Sequence, residues 1–279
     1  MPDPSGATQV VGVIGDPVSH SLSPTIHNAA FRSLGMDWTC VAFPTPTGSA
    51  VDAVRGMEAL GIVGLSVTMP HKAAVIEALQ SVTETAGLLN AVNCISRSEA
   101  GLQGHNTDGD GFLAAINADF GLDPASKVCA VLGAGGAARS VILALQQAGA
   151  AEILVVNRTR DSAETAAALA GNVGTVATER SIEHAELVVN ATSVGMAGTA
   201  TAQGMPCDPS LLHPGQVLAD LIYHPAQTEL MRAAEHRGCR VSNGLTMLIH
   251  QAAVAFEIWT GETAPVQAMT QAVLAASSK

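Results

Sequence analysis

The feature that most constrains the fold is a glycine-rich turn between a strand pattern and a helix pattern. Lys127–Leu132 is rich in apolar and β-branched residues, which is typical of a buried strand. Gly133-Ala134-Gly135-Gly136 follows directly, and an amphipathic helical pattern then continues to Gly149, a residue type that commonly ends a helix. A strand, a glycine turn and a helix in this order are the pattern of a dinucleotide-binding unit.

The glycines have a steric reason in such a unit. Gly133 permits the tight turn, Gly135 lets the main chain approach a pyrophosphate, and the small Ala138 lets the helix pack on the strand. The N–H groups of the first helical turn and the helix dipole then face the phosphates. A plain tight turn also uses glycine, but a second strand pattern, Ile153–Asn157, follows at the expected distance. We therefore predict a cofactor site at this turn.

The residues after the second strand indicate which dinucleotide binds. NAD-preferring sites typically place Asp or Glu there for the ribose hydroxyls, whereas this chain has Asn157 and Arg158. A guanidinium suits a 2′-phosphate and can stack on adenine. The sequence favours NADP, and NAD stays an alternative because Asp161 would repel the phosphate if it pointed inward.

Charge and cysteine usage exclude several classes of protein. A net charge of −11 argues against nucleic-acid binding, which needs basic surfaces, and favours small-molecule chemistry. The cysteines (Cys40, Cys94, Cys129, Cys207, Cys239) are scattered and never form a Cys-x-x-Cys pair, so we predict reduced thiols in a cytoplasmic protein. No histidine pair has zinc-site spacing with a third ligand, and no apolar run has membrane length, so we expect neither a metal nor a membrane span.

The pattern along the chain alternates strands and helices, which predicts a two-domain α/β protein whose first sheet is mainly parallel. The predicted strands are Val10–Ile14, Trp38–Phe43, Gly64–Thr68, Leu89–Ile95, Leu102–His105, Lys127–Leu132, Ile153–Asn157, Leu187–Asn190, Val217–Tyr223 and Cys239–Ser242. Helices are predicted between them, the first capped by Ser23 with Pro24 as its first residue. A helix begins near Asp108, and Leu245–Trp259 and the segment after Pro265 form the last two.

Two polar clusters follow strands at the edge where α/β folds collect ligands. Ser66-Val67-Thr68-Met69-Pro70-His71-Lys72 ends the third strand, and Asn106-Thr107-Asp108-Gly109 follows the fifth. Position alone leaves the alternatives open, because Lys72 also suits a solvated helix start and Asp108 a helix cap.

Several motifs together resemble one family, the shikimate dehydrogenases with their quinate/shikimate paralogues. The motifs occur in the family's order and cover nearly the whole chain. They are Gly15-Asp-Pro-Val-Ser-His-Ser21-Leu-Ser23-Pro-Thr-Ile-His-Asn28, Val67-Thr68-Met-Pro70-His-Lys72, Ala91-Val92-Asn93, Asn106-Thr107-Asp108-Gly109, Asn157-Arg158-Thr159, Asn190-Ala-Thr-Ser and Gly244-Leu-Thr-Met-Leu-Ile-His-Gln251.

The resemblance implies an activity and a domain plan. It implies reversible, NADPH-dependent reduction of 3-dehydroshikimate to shikimate, a small polyol carboxylate, by a monomer or homodimer. It implies a substrate domain over residues 1–108 plus 247–279 and a Rossmann-type NADP-binding domain over residues 109–246. Quinate or aminoshikimate dehydrogenation with NAD or NADP is the nearest alternative, and a non-catalytic NADP-binding sensor is an alternative of another class.

The resemblance also implies site residues. Lys72 and Asp108 would be catalytic, because an ammonium can stabilise the developing oxyanion and deliver the proton, while a neighbouring carboxylate favours its charged form. Substrate would contact Ser21, Ser23, Ser66, Thr68, Asn93, Tyr223 and Gln251. The cofactor would contact Gly133, Ala134, Gly135, Gly136, Ala137, Asn157, Arg158, Thr159, Thr192, Ser193, Leu221 and Gly244.

Three positions depart from the family pattern. Ser66 stands where the family usually has Asn and offers fewer hydrogen-bonding groups, which bears on substrate preference. Ser162 stands where NADP-dependent members commonly carry a second basic residue, a role that Arg160 could fill. Thr246 replaces a frequent glycine next to the nicotinamide pocket.

Overall fold

A computed structural model describes residues 4–277 of the chain. The chain divides into two compact units. The first unit comprises the chain up to Thr107 together with the chain from Ile249, and the second unit is Asp108–Leu248. Each unit is built on its own six-stranded sheet, and the predicted α/β class is confirmed.

The sheet of the first unit is mainly parallel. Its strands are β1 (Gln9–Gly15), β2 (Trp38–Pro44), β3 (Gly64–Val67), β4 (Ser81–Val82), β5 (Cys94–Ser98) and β6 (Gly101–His105), in the order β2-β1-β3-β5-β6-β4. Strand β5 runs antiparallel to β3 and β6, and the other pairings are parallel. The helices α1 (Ser23–Ser33), α2 (Ala50–Ala59) and α3 (Glu84–Leu89) and a 3-10 helix (Ala74–Ala78) connect these strands.

The second unit has an entirely parallel sheet. It contains α4 (Asp108–Phe120), β7 (Val128–Leu132), α5 (Gly136–Gln147), β8 (Glu152–Val156), α6 (Arg160–Ala167), β9 (Gly174–Val176), β10 (Leu187–Asn190), β11 (Val217–Asp220), α7 (Glu229–His236) and β12 (Arg240–Ser242). The order β12-β11-β10-β7-β8-β9 is that of the doubly wound dinucleotide-binding fold, with its switch point between β7 and β10. Short 3-10 helices lie at Ala168–Val173, Glu179–His184 and Pro209–Leu211.

Apolar side chains on both faces explain why these strands appear in the sequence as continuous apolar runs. Successive side chains of a strand point to opposite faces. Cys129 and Val131 of β7 accordingly belong to one buried cluster, and Ala130 and Leu132 to another. Helix α8 (Leu245–Thr260) then returns the chain to the first unit, where α9 (Val266–Ser277) follows.

The strand predicted over Val217–Tyr223 ends at Asp220. Two further local predictions are wrong, each because a side chain makes a turn that periodicity does not reveal. Ser23 is the first residue of α1 rather than its cap, and its N–H donates to Oγ of Ser21 at 3.2 Å. The strand predicted from Leu89 begins only at Cys94. Leu89 instead ends α3, a short helix capped by the Thr83 hydroxyl.

Candidate functional site

The second unit contains a groove of about 780 Å³ at the carboxyl ends of β7, β8 and β10. This is the edge at which the strand order reverses, where open α/β sheets bind ligands. Eight of the residues predicted to contact the cofactor line it, namely Gly133, Ala134, Gly135, Asn157, Arg158, Thr159, Thr192 and Ser193. Gly136 and Ala137 begin α5 beside the groove, whereas Leu221 and Gly244 pack against each other outside its lining.

The glycine turn of the groove is shaped for close approach by a phosphate. Gly133 has φ +110°, and a Cβ there would lie 3.0 Å from the carbonyl oxygen of Ala191. A Cβ on Gly135 or Gly136 would meet no heavy atom within 4 Å, so this side of the turn is open. The first turn of α5 has no acidic residue and no side-chain cap. Its N–H groups and the helix dipole therefore suit an anion, and the residues present fit a dinucleotide.

The two arginines that follow β8 have different surroundings. Arg158 lines the groove. The Nε atom of Arg160 lies 2.8 Å from Oε1 of Glu164, one turn along α6. The groove therefore presents Arg158 to a ligand, while Arg160 has a carboxylate partner on the protein surface.

Main-chain hydrogen bonds bring three predicted site residues of the first unit together. The N–H of Thr68 donates to the carbonyl of Ile14 at 3.0 Å, which fixes Thr68 beside the end of β1. The carbonyl of Asn93 accepts from Val67 at 2.7 Å, and the carbonyl of Lys72 accepts from Val92 at 2.8 Å. Thr68, Lys72 and Asn93 thus belong to one polar edge at the carboxyl end of β3.

A buried histidine holds the turn between Thr68 and Lys72. The ring of His71 is 2 % exposed, and its Nε2 lies 2.8 Å from the carbonyl oxygen of Thr45. Its main-chain N–H donates to the carbonyl of Thr68 at 3.0 Å. No local sequence pattern predicts this role for His71, because a contact to Thr45 depends on how β2 and β3 are arranged in the folded unit.

Thr107 links Asn93 to Gln251, the predicted substrate residue of α8. The Thr107 hydroxyl donates to the carbonyl of Gln251 at 3.1 Å and accepts from Nδ2 of Asn93 at 3.0 Å. Thr107 is 1 % exposed. Gln251 therefore joins the polar edge, which we define by Thr68, Lys72, Asn93 and Gln251.

The remaining predicted catalytic and substrate residues have separate positions. In the first unit, the hydroxyl of Ser21 donates to that of Ser23 at 3.2 Å at the start of α1, and Ser66 lies on β3 between Val13 and Cys94. In the second unit, Asp108 is the first residue of α4, and Tyr223 follows β11 with 38 % of its surface exposed.

The described residues contain no helix that is long and apolar enough to cross a membrane. Within the same range, no cluster of three His, Cys, Asp or Glu side chains could hold a metal ion. The five cysteines are all buried free thiols.

Family models match most of the two units. Residues 13–95 match the shikimate dehydrogenase substrate binding domain, and residues 244–274 match the shikimate 5′-dehydrogenase C-terminal domain. Residues 128–212, which include the groove's glycine turn, match a model described as NADP oxidoreductase coenzyme F420-dependent.

Individual relatives match over nearly the whole chain. The NADP⁺-dependent shikimate dehydrogenase of Methanopyrus kandleri is 44% identical, over 96% of this chain and 95% of the relative. The shikimate 5-dehydrogenase of Thermus thermophilus, solved with NADP(H) and shikimate, is 34% identical with a TM-score of 0.88, covering 96% of this chain and 100% of that one. A quinate dehydrogenase of Corynebacterium glutamicum, solved with NAD, is 30% identical with a TM-score of 0.86, covering 96% and 99%.

Proposed function

Because this chain belongs to the shikimate dehydrogenase family, we propose that it catalyses the reversible, NADPH-dependent reduction of 3-dehydroshikimate to shikimate. The observation that carries this proposal is the polar edge of the first unit, where Lys72 lies in a turn beside Thr68 and Asn93. A hydroxylated carboxylate can be gripped only through its hydroxyls and its carboxylate. Hydroxyl and amide side chains supply such directional donors and acceptors, and we assign this role to Ser21, Ser23, Ser66, Thr68, Asn93, Tyr223 and Gln251.

Lys72 is proposed as the proton donor and Asp108 as the second catalytic residue. Reduction of a ketone develops negative charge on the carbonyl oxygen, and an ammonium stabilises that charge and transfers a proton to the oxygen. In the reverse direction, the neutral amine of Lys72 would accept the proton that the substrate hydroxyl releases.

The groove of the second unit is proposed to hold the dinucleotide. When bound, NADPH supplies the hydride that reduces the carbonyl carbon. The N–H groups at the start of α5 would hold the pyrophosphate, and Arg158 would contact the 2′-phosphate. The open turn at Gly135 and Gly136 supports this assignment.

The compartment and assembly complete the proposal. Five free buried thiols suit a reducing compartment, so we propose a cytoplasmic enzyme. We propose that it works as a monomer or homodimer. We also propose that residues 1–108 with 247–279 form its substrate domain and residues 109–246 its cofactor domain.

A substrate and cofactor panel tests the function. Nicotinamide absorbance would be followed with shikimate, quinate and aminoshikimate, each with NADP⁺ and NAD⁺. The proposal requires the highest kcat/KM for shikimate with NADP⁺. The highest value for quinate with NAD⁺ would favour the activity of the Corynebacterium relative, and NADPH binding without turnover of any polyol would favour a sensor.

A further inference from the structure

A buried carboxylate at the end of β11 contacts three hydrogen-bond donors of the second unit. Asp220 is 1 % exposed. Its Oδ1 accepts from Nδ2 of Asn190 at 2.9 Å and from the N–H of Ile222 at 3.0 Å. Its Oδ2 accepts from the Thr228 hydroxyl at 2.7 Å. Both carboxylate oxygens are therefore satisfied inside the protein.

Asn190 extends this network to the wall of the groove. Its Oδ1 accepts from the N–H of Thr192 at 3.1 Å and from the Thr192 hydroxyl at 2.8 Å. The hydroxyl oxygen of Thr192 accepts in turn from the N–H of Val194 at 3.1 Å. Thr192 and Val194 both line the groove, so a continuous chain of hydrogen bonds joins Asp220 to the groove.

The chemistry of an amide explains how Asp220 supports this arrangement. The nitrogen of an asparagine amide only donates and its oxygen only accepts. Since Asp220 accepts from the nitrogen of Asn190, the Asn190 oxygen must face Thr192. Without an acceptor at residue 220, the nitrogen of the Asn190 amide has no partner, and only the two donors of Thr192 hold its oxygen at the turn.

Packing alone does not require a carboxylate here. Burial raises the pKa of the Asp220 carboxyl, while hydrogen bonds from Thr228, Ile222 and Asn190 lower it. An apolar side chain would end β11 without any cost of burying a charged group. Such a side chain would, however, leave the donors of Asn190, Ile222 and Thr228 without their acceptor.

We infer that Asp220 is a positioning residue for the dinucleotide, acting through Asn190 to hold the turn at Thr192 against the ligand. This inference deepens the proposed function and rests on NADP(H) occupying the groove. Asp220 itself does not line the groove.

The test measures NADPH binding directly, by the change in nicotinamide fluorescence on titration. Asp220→Ala removes all the acceptors, and Asp220→Asn keeps the shape and one acceptor oxygen. Because small displacements of a positioning group are costly, we expect the Kd of NADPH to rise about tenfold for Asp220→Ala and less for Asp220→Asn. The KM for shikimate at saturating NADP⁺ stays unchanged.

A matched control comes from the opposite end of β11. Gln216 is 2 % exposed, and its Nε2 donates to the carbonyls of Ile182 and Ala185 at 2.8 Å each. It does not line the groove. Gln216→Met therefore leaves buried acceptors unpaired, just as the Asp220 variants leave buried donors unpaired. We expect it to lower Tm without changing the Kd of NADPH.

A double variant identifies the route of the effect. If Asp220 acts through the turn, the effects of Asp220→Ala and Thr192→Val on the Kd of NADPH are not additive. The Kd of the double variant is then no higher than the larger of the two single-variant values. The inference is overturned if both Asp220 variants lower Tm as Gln216→Met does but bind NADPH like the wild type. Wild-type protein that does not bind NADPH would instead contradict the proposed function.

Discussion

Asn93 and Thr107 hold each other through both ends of the asparagine amide. Oδ1 of Asn93 accepts from the N–H of Thr107 at 2.8 Å, and Nδ2 donates to the Thr107 hydroxyl at 3.0 Å. The hydroxyl donates onward to the carbonyl of Gln251. One threonine therefore orients the side chain of Asn93 and holds the main chain of Gln251, and both residues are proposed to contact the substrate.

Thr107→Val preserves the shape of this side chain and removes only its hydroxyl. Loss of a buried hydrogen-bond partner costs about 1–3 kcal/mol, so we expect the KM for shikimate to rise about tenfold with the KM for NADP⁺ unchanged. Thr107→Ser keeps the hydroxyl and restores the KM. Thr270→Val, which removes a hydroxyl bonded to the carbonyl of Val266 in α9, is the control. An unchanged KM for shikimate in Thr107→Val would show that Thr107 does not position the site.

His27 makes the first unit sensitive to acid. The ring is completely buried, and neither nitrogen has a hydrogen-bond partner among the described residues. It lies 4.8 Å from the ring of Trp259. Burial lowers the pKa of His27 from 6.5 to about 3. Because the folded pKa lies below the unfolded one, the unfolded state takes up a proton first, and stability is lost as the pH falls from 6.5 towards 3.

His27→Phe removes this loss. When the pH is lowered from 7.5 to 4.5, the free energy of unfolding of the variant falls by about 3 kcal/mol less than that of the wild type. Urea unfolding followed by tryptophan fluorescence measures it, since Trp38 and Trp259 both lie in the first unit. Equal pH dependence of the free energy of unfolding in the two proteins would mean that folding does not lower the pKa of His27.

Substitution of Arg158 and of Arg160 distinguishes recognition of the 2′-phosphate from a general effect of surface charge. Arg158→Ala removes the guanidinium that lines the groove, and we expect the KM for NADP⁺ to rise at least about tenfold, as for loss of a charge-assisted hydrogen bond. The KM for NAD⁺ stays unchanged. Arg160→Ala removes the same charge from the pair with Glu164 and leaves both KM values near wild type. Equal effects of the two substitutions would assign the phosphate contact to neither arginine specifically.

The elements that could be predicted are those with a strong local pattern. Leu187–Asn190 appears in the structure with the predicted bounds, because a strand covered on both faces is a continuous apolar run that a polar residue ends. Strands β4 and β9 contain two and three residues, too few to show a period. They form only because a neighbouring strand is present to pair with them.

The same distinction applies to the site. The glycine turn is visible because each glycine has a local steric reason. Asn190 and Asp220 are register partners on β10 and β11, about thirty residues apart in sequence, and their pairing exists only in the folded sheet. The sequence gives only a modest indication of this pairing, which is that the apolar strands β10 and β11 both end in a polar residue. Thr107 lies inside a recognised motif, but the two residues that it orients are distant in sequence.

The central claim is that the polar edge of the first unit is an active site in which Lys72 transfers a proton. Its most direct test is kcat for Lys72→Ala with shikimate and NADP⁺, beside NADPH titration and the control Lys127→Ala, whose ammonium pairs with Glu186. We expect kcat to fall by roughly 10²–10⁴ for Lys72→Ala, with NADPH affinity unchanged and Lys127→Ala fully active. A Lys72→Ala enzyme with wild-type kcat would contradict it.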